Sequence, residues 1–269
     1  IITVMSYIFQ PSTELWVHLS DNLLLEYLSN TFIILISVAI LSLIMGVSCA
    51  WLVTNFVFPG KDIFKWLLVM PIAIPTYVSA YIYAGLFEPS GMIFEFIENY
   101  LGLGKELYEA IELRNIYGVI FILSICLYPY VYLLAYSSFK EQTYCAMEVG
   151  KSLGLKGAEL FYRVNMPLAR PGIIAGISLV MMETLAEFGT MDYYGISTFT
   201  TGIYRTWFSF GDETSALHLS SILLTFVFVL IVIEKFSRGK SQYVNTSQKS
   251  KKIKEKNLKG VNRIYAFLW

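Results

Sequence analysis

The sequence predicts an all-α integral membrane protein, a polytopic helical bundle. Of the 269 residues, 56% are hydrophobic and only 15% are charged, and the mean hydropathy is +0.58; a water-soluble domain of this size exposes far more charge. The apolar runs are continuous and reach the roughly 20 residues that a helix needs to cross a bilayer. They lack the alternation of membrane barrel strands. Five runs have the required length: 31–57, 66–87, 116–139, 173–194 and 216–236.

We expect residues 31–236 to form one transmembrane domain. Before it, residues 1–9 have the composition of the end of a truncated membrane helix, and residues 10–30 that of an external segment. After it, we expect a basic cytoplasmic linker at 237–263 and the start of a further span at 264–269. These two ends lead us to expect that the chain is a piece of a longer protein.

The charges of the loops predict the orientation in the membrane. Lys61 and Lys65 lie in the connection after the first run, five Lys or Arg residues lie in the loop 140–172, and ten lie from Lys235 to Arg263 against one Glu. In an alternating topology these segments share one side, which the positive-inside rule makes cytoplasmic. The same rule accounts for the basic tail, so the sequence gives no reason to expect a nucleic-acid partner.

The long polar loop before the fourth run is predicted to be helical. A short helix is expected over Thr143–Leu153, closed by Gly154 in the left-handed conformation that follows many helix ends. A second short helix is expected over Lys156–Asn165. Pro167 and Pro171 are then expected to stop the helix and to turn the chain back into the membrane.

The first of these helices has an apolar stripe. Cys145, Val149 and Leu153 recur at four-residue spacing and therefore lie on one face of a helix. Periodicity alone leaves two alternatives open, because such a face can lie on the membrane surface or dock against a protein partner.

The spacing within this loop resembles the EAA loop of binding-protein-dependent ATP-binding cassette (ABC) importer permeases. The family pattern is Glu-Ala-Ala, three residues, Gly, nine residues, then aliphatic-x-Leu-Pro. Glu148, Gly154 and Pro167 match it with both gaps preserved, while Val149–Gly150 replaces the two alanines and Met166 replaces the leucine. The resemblance implies that the loop couples the chain to an ATPase through seven residues: Glu148, Val149, Gly150, Gly154, Val164, Met166 and Pro167.

Further motifs are similar to those of ferric-iron importer permeases. The quoted segments are Phe58-Pro-Gly60, Pro71-Ile-Ala-Ile-Pro75, Ala186-Glu-Phe-Gly189 and Thr198-Phe-Thr-Thr-Gly-Ile-Tyr-Arg-Thr-Trp207. The resemblance implies a multi-pass inner-membrane permease, the first of two halves fused in one chain. The implied partners are a cytoplasmic ABC ATPase subunit, an external or periplasmic solute-binding protein, a second permease half downstream and membrane lipid. Permeases for thiamine, polyamines and oxyanions share parts of these motifs, so those substrates stay open as alternatives.

Three acidic residues are candidates for a substrate path. Glu183 and Glu187 are four residues apart, which places them on one face of the predicted helix, and Asp192 lies further toward the outside. Carboxylates within membrane spans are costly and mark ion pathways, and a hard cation such as ferric ion favours oxygen ligands. The alternative for Glu187 is a role in helix packing or gating, because its Ala-Glu-Phe-Gly motif resembles one found in oxyanion permeases.

Three prolines in the predicted spans are candidate hinges. Pro71 and Pro75 interrupt the hydrogen bonding of one span twice, and Pro129 interrupts another. Kinks of this kind serve helix packing as well as the alternation of access in transporters, and both interpretations stay open.

Other functional classes find less support in the sequence. The chain has no Gly-x-x-x-x-Gly-Lys-Ser/Thr motif, so ATP is expected to bind a separate subunit, and no cofactor is expected. No nucleophile, base and orienting group occur together as in an enzyme, and no spacing predicts a fixed metal site, since His18 and His218 stand alone. An ion-coupled secondary transporter is the main alternative, but it has no use for the long polar loop.

Overall fold

Helices make up nearly all of the part of the chain that the structure describes. The computed structural model describes residues 2–11, 13–87, 91–102, 114–141, 149–150, 152–155, 157–238 and 256–257. The first half contains α1 (Ile2–Ser6), a 3-10 turn (Tyr7–Phe9), α2 (Glu14–Asn22), α3 (Leu24–Asn55), β1 (Phe56–Val57), α4 (Lys61–Leu67), a 3-10 turn (Met70–Ala73), α5 (Thr76–Phe87) and α6 (Met92–Leu101).

The second half continues the helical pattern and adds two π-helical turns. Its elements are α7 (Ile116–Glu141), α8 (Ala158–Leu160), a π turn (Phe161–Asn165), α9 (Met166–Ala186), α10 (Gly189–Tyr193), α11 (Phe199–Tyr204), a π turn (Arg205–Ser209), α12 (Glu213–Arg238) and β2 (Lys256–Asn257). The short strand β2 pairs in parallel with β1, with Phe56 opposite Lys256.

Within the described residues, four helices are long and apolar enough to cross a membrane: Leu24–Asn55, Ile116–Glu141, Phe161–Ala186 and Glu213–Ser237. Helices α7 and α12 begin and end within three residues of the predicted runs 116–139 and 216–236. Helix α3 begins earlier than predicted and takes up residues 24–30 of the expected external segment. Helix α7 also passes through Pro129 without a break.

The predicted span 66–87 is interrupted in the structure, at the place where Pro71 and Pro75 were expected to break its hydrogen bonding. The helical stretches Lys61–Ala73 and Thr76–Leu86 are bent by 97° at the break between them. The physical reason is that Pro71 and Pro75 lack the N–H group of a helical residue, and their rings collide with the preceding turn.

The prediction that Pro167 and Pro171 stop the helix is wrong. Pro167 is the second residue of α9 and Pro171 lies inside it, while the π turn Phe161–Asn165 joins α8 directly to α9. Pro167 follows closely on the π turn, where the main-chain hydrogen bonds already depart from the regular ladder that a proline would interrupt. Helix α9 ends at Ala186, so the predicted span 173–194 is shifted toward the N-terminus.

The chain divides into two compact units. One comprises Ile1–Ala39, Ile74–Cys126 and Met181–Leu230, and the other Ile40–Ala73, Leu127–Val180 and Ile231–Trp269. The core of the first unit is a cluster of buried side chains from α2, α3, α11 and α12: Leu19, Tyr27, Phe199 and Leu219.

A polar cluster ties α2 to α12 in the first unit. The Thr13 hydroxyl accepts the Trp16 N–H at 3.1 Å, donates to the Asp212 carboxylate at 2.8 Å and lies 2.7 Å from the Ser215 hydroxyl. Burial acts to raise the pKa of the Asp212 carboxyl, but the hydrogen bonds from Ser215 and Thr13 outweigh it and lower the pKa below its ordinary value. Thr13 and Asp212 therefore cap two helices together.

Glycines let three helices approach closely in the second unit. A methyl group added to Gly46 of α3 would lie 2.7 Å from Cβ of Val131 in α7, and one added to Gly176 of α9 would lie 2.8 Å from Cα of the same valine. Four residues before Gly176, a methyl group on Gly172 would meet the Ser138 hydroxyl oxygen at 2.0 Å. Gly172 and Gly176 form a Gly-x-x-x-Gly pair, the pattern that brings membrane helices into backbone contact.

We predict that Gly176→Ala destabilises the protein, because the added methyl group meets the Val131 main chain, which cannot move aside cheaply. Overpacking of this kind costs about 1–3 kcal/mol, which corresponds to a fall of several degrees in the melting temperature of the full-length protein in detergent. Gly85→Ala is the matched control, since Gly85 lies in α5 with no atom within 4 Å of an added methyl group. Equal melting temperatures for the two variants would contradict the prediction.

Candidate functional site

In the predicted coupling loop, the first short helix ends in a turn that is closed by Gly154. Gly154 has φ +85°, which confirms its predicted left-handed conformation. The Leu155 N–H donates to the Gly150 carbonyl at 3.1 Å, the six-to-one bond of a Schellman motif, and the Leu153 N–H donates to the Val149 carbonyl at 3.0 Å. Of the predicted coupling residues, Glu148 lies outside the described residues, as do residues 143–147 and 151 of the expected helix.

Gly150 packs against the helix that follows. A methyl group on Gly150 would lie 2.7 Å from Cδ1 of Leu160 and 3.1 Å from Cγ2 of Val164. Val164 belongs to the π turn that leads into α9, and the neighbouring Phe161 ring packs edge-on against Trp51 of α3 at 5.1 Å. The turn is therefore joined to membrane helices through Leu160, Phe161 and Val164.

The same segment presents apolar side chains to its surroundings. Val149 is 53% exposed and Leu153 is 75% exposed, and both belong to the predicted apolar stripe. Pro167 is exposed and Met166 is half-buried at the start of α9. Gly150 faces inward while Val149 and Leu153 face outward, so the segment has a packed side and an unpartnered side among the described residues.

The three candidate path carboxylates have different environments. Glu183 on α9 and Asp192 on α10 are exposed, whereas Glu187 is half-buried. Glu183 and Glu187 do not lie in one continuous helix as predicted, because α9 ends at Ala186 and Glu187 lies in the break before α10.

Glu187 is held by threonines that the sequence analysis did not single out. The Thr76 hydroxyl donates to Oε2 at 2.6 Å, and the Thr190 N–H donates to Oε1 at 2.8 Å. The Glu187 carbonyl accepts the Thr200 hydroxyl at 2.7 Å. Little in the sequence indicated that Thr76 binds Glu187, because a threonine after a helix-breaking proline is common at a helix start in any case.

A small cavity adjoins Glu187. Its volume of about 10 Å³ is enough for one water molecule. Its polar lining consists of the Glu187 side chain and four threonines: Thr31, Thr184, Thr198 and Thr200. A larger, open apolar cleft of about 350 Å³ lies nearby in the same unit, lined by Phe188, Thr200, Ile203, Tyr204, Trp207 and Phe208.

The remaining candidate ligands form no cluster. Within the described residues no group of three or more His, Cys, Asp or Glu side chains is arranged to hold a metal ion. His218 is buried, with its ring stacked on Trp16 at 4.7 Å and Nδ1 2.8 Å from the Thr214 carbonyl. His18 lies on α2 with Nδ1 3.2 Å from the Asn22 amide nitrogen.

Long apolar helices, interrupted spans and a polar segment with one unpartnered apolar side define a polytopic membrane protein of the transport class. Residues 42–237 match the family described as "Binding-protein-dependent transport system inner membrane component". Because this match covers more than half of the chain, the protein belongs to that family. It is a multi-pass permease component of the inner membrane, and its described residues are predominantly helical.

The chain is similar to several curated permeases. It is 28% identical over 240 residues to the Fe(3+)-transport system permease protein FbpB 2 of Haemophilus influenzae, covering 87% of this chain and 43% of that protein. It is 23% identical over 180 residues to a probable molybdenum ABC transporter permease of Haloferax volcanii, and 28% identical over 153 residues to a probable sulfate permease of Helicosporidium, covering 67% and 57% of this chain. The chain spans 43%, 62% and 54% of these three relatives.

Solved structures share the fold. A bacterial ABC transporter involved in the import of the acidic polysaccharide alginate aligns with a TM-score of 0.66 at 16% identity, over 91% of this chain and 88% of that chain. The MetNI methionine ABC transporter, in inward-facing conformations, aligns with a TM-score of 0.61 at 12% identity, over 84% of this chain and 98% of that chain.

Proposed function

We propose that this chain forms part of the translocation path of an ATP-driven, binding-protein-dependent importer for ferric iron. The observation that carries the proposal is the extent of similarity to ferric permeases. FbpB 2 of Haemophilus influenzae aligns over 87% of this chain and FbpB of Actinobacillus pleuropneumoniae over 86%. The sulfate and molybdenum permeases align over 55% to 74% of it.

An oxyanion importer is the second candidate function. Sulfate and molybdenum relatives are 23% to 28% identical to this chain. The carboxylates favour a cation instead, because the exposed side chains of Glu183 and Asp192 repel an anion and attract Fe³⁺. Thiamine and polyamine importers stay as further alternatives, and polyamines are also cationic.

We predict that the full-length protein, reconstituted in vesicles with its ATPase and its binding protein, takes up ferric iron in an ATP-dependent manner. Molybdate, sulfate, thiamine and spermidine serve as competing cargoes in the same vesicles. Uptake of one of these with no uptake of iron would overturn the assignment of iron while leaving the importer proposal intact. Uptake driven by an ion gradient without ATP would favour the alternative of an ion-coupled secondary transporter.

We further propose that the segment 140–172 couples the chain to a separate cytoplasmic ABC ATPase. The support lies in the exposed Val149 and Leu153 on one side and the packed Gly150 on the other. An ATPase that covers the two exposed side chains would bury apolar area, which stabilises the contact by roughly 25 cal/mol per Å². Movement of that ATPase would reach α9 through the continuous helical path from Ala158 to Met166.

We predict that Leu153→Ser weakens binding of the ATPase by about tenfold to a hundredfold, since losing a buried leucine contact costs roughly 1.5–3 kcal/mol. Co-purification of the ATPase with the tagged full-length protein measures the effect. The matched control is Leu25→Ser, because Leu25 is 77% exposed and Leu153 75% exposed, and Leu25 lies in the predicted external segment. Equal retention of the ATPase by both variants would count against the coupling role.

Glu183 and Asp192 are proposed to line the substrate path. Both are exposed in this chain, and a carboxylate that a membrane helix leaves exposed needs a polar neighbour such as a partner subunit or a water-filled passage. The proposed neighbour is a second permease half. FbpB 2 supports its presence, because this chain covers only 43% of that protein.

We predict that Glu183→Gln lowers the rate of iron uptake about tenfold or more at unchanged melting temperature, because the amide keeps the shape and removes the charge that binds a cation. Glu14→Gln is the control, since Glu14 is an exposed carboxylate on α2. Uptake assays in vesicles compare the two variants. Wild-type uptake by Glu183→Gln would remove this residue from the path.

The other proposed partners are membrane lipid and a periplasmic solute-binding protein. Exposed apolar side chains along α3, such as Phe32, Ile36 and Ile40, suit contact with lipid. The proposal of a binding protein follows the family description. A structure with the same fold, the alginate ABC transporter, is a complex with an alginate pentasaccharide-bound periplasmic protein (TM-score 0.62, 13% identity).

A further inference from the structure

We propose that Glu187 is a positioning residue whose carboxylate joins the first turns of α5 and α10, so that these two helices move as one body. In this role Glu187 binds no cargo. The consequence for transport rests on the proposed importer function, whereas the structural linkage does not.

The two carboxylate oxygens of Glu187 serve two different helices. Oε2 accepts the hydroxyl of Thr76, the first residue of α5, at 2.6 Å. Oε1 accepts the N–H of Thr190, in the first turn of α10, at 2.8 Å. Hydrogen bonds to a charged acceptor are about twice as strong as neutral ones, so the carboxylate is a bridge between the starts of both helices.

The main chain of Glu187 adds a third contact. Its carbonyl lies in the break that follows α9 and accepts the Thr200 hydroxyl of α11 at 2.7 Å. A break in a membrane helix frees backbone groups that lipid cannot satisfy. The threonine hydroxyl meets one of them, so the same residue anchors α11 as well.

Helices α5 and α10 run side by side in the same direction from this bridge. A methyl group on Gly189 would lie 2.9 Å from Cβ of Tyr77, which shows how closely the two starts approach. One turn on, the rings of Tyr193 and Tyr81 lie 5.8 Å apart. The Tyr194 hydroxyl then donates to the Ala80 carbonyl at 3.4 Å.

The surroundings of Glu187 suit a fixed charge better than a passing ion. The N-terminus of the 12-residue helix α5 carries partial positive charge, and the Glu187 carboxylate accepts a hydrogen bond from the first residue of that helix. A cargo cation would compete with the Thr76 and Thr190 donors for the two carboxylate oxygens. The exposed side chain of Glu183 could bind a cation without competition from these donors. We therefore assign the substrate path to Glu183 and the positioning role to Glu187.

The test compares Glu187→Gln, Glu187→Leu, Thr76→Val and the Thr76→Val/Glu187→Leu double variant in the full-length protein. Glutamine can accept the Thr190 N–H through its oxygen and donate to the Thr76 hydroxyl through its nitrogen. We therefore expect Glu187→Gln to keep the parent melting temperature and to keep uptake within about threefold. Glu187→Leu and Thr76→Val should each lower the melting temperature by roughly 5 °C, and the double variant should add little to the larger single effect.

A cross-link between Tyr81→Cys and Tyr193→Cys tests the shared movement. It is made with a short bifunctional thiol reagent in a background whose native cysteines are replaced. We expect the cross-linked protein to retain uptake and ATPase stimulation, because α5 and α10 never separate. Transport that stops on cross-linking and recovers on its reduction would overturn the proposal of one moving body.

Two further outcomes would overturn the bridge itself. One is additive losses of melting temperature in Thr76→Val and Glu187→Leu, and the other is a loss of uptake in Glu187→Gln at unchanged melting temperature. If Glu187→Leu does not fold, Thr76→Val and Glu187→Gln still decide between the roles. The melting measurements need no cargo or ATPase, so a failure of the proposed importer function would show itself separately, as absent uptake by the parent protein.

Discussion

The hydrogen bond between Thr76 and Glu187 lies where two interruptions of membrane helices come together, and the proposed common movement of α5 and α10 depends on it. Backbone groups freed by a break cannot turn to lipid, so side chains from neighbouring elements must satisfy them. Here the Glu187 carboxylate accepts the Thr190 N–H at 2.8 Å, and the Thr200 hydroxyl donates to the Glu187 carbonyl at 2.7 Å. The Thr76 hydroxyl donates to the same carboxylate at 2.6 Å. The bridge gives α5, α10 and α11 one common anchor, and it sets the direction in which α10 lies along α5.

In the second unit, helix packing depends on the close approach of helix backbones. Lipid tails are as apolar as leucine, so close packing replaces the hydrophobic effect as the main force between membrane helices. Gly46, Gly172 and Gly176 bring α3 and α9 onto α7 at distances that leave no room for a methyl group. The continuous helix from Ala158 through α9 then connects this packed region to the segment with exposed Val149 and Leu153. In the proposed coupling role, this helical connection would carry the motion of the ATPase to α9.

Much of the fold was predictable from local pattern. Helices α7 and α12 follow their apolar runs closely, and Gly154 adopts the predicted left-handed conformation. Pro71 and Pro75 interrupt their span as expected, whereas Pro167, which was expected to stop a helix, is accommodated in the first turn of α9. Helix α3 also begins earlier than its apolar run predicts. Hydropathy sums side-chain character over a window, so it does not register where the chain changes direction.

The sequence by itself determined the class of the protein, the number of apolar runs and their predicted orientation, because these follow from composition and charge along the chain. It also displayed the Glu, Gly and Pro spacing of the polar loop. Only the tertiary structure decided what the acidic residues do. Glu183 and Glu187 look alike in the sequence, but one is exposed and the other accepts a hydrogen bond from Thr76, a residue 111 positions away. Such a partner depends on how helices pack in three dimensions, and no local pattern contains that information.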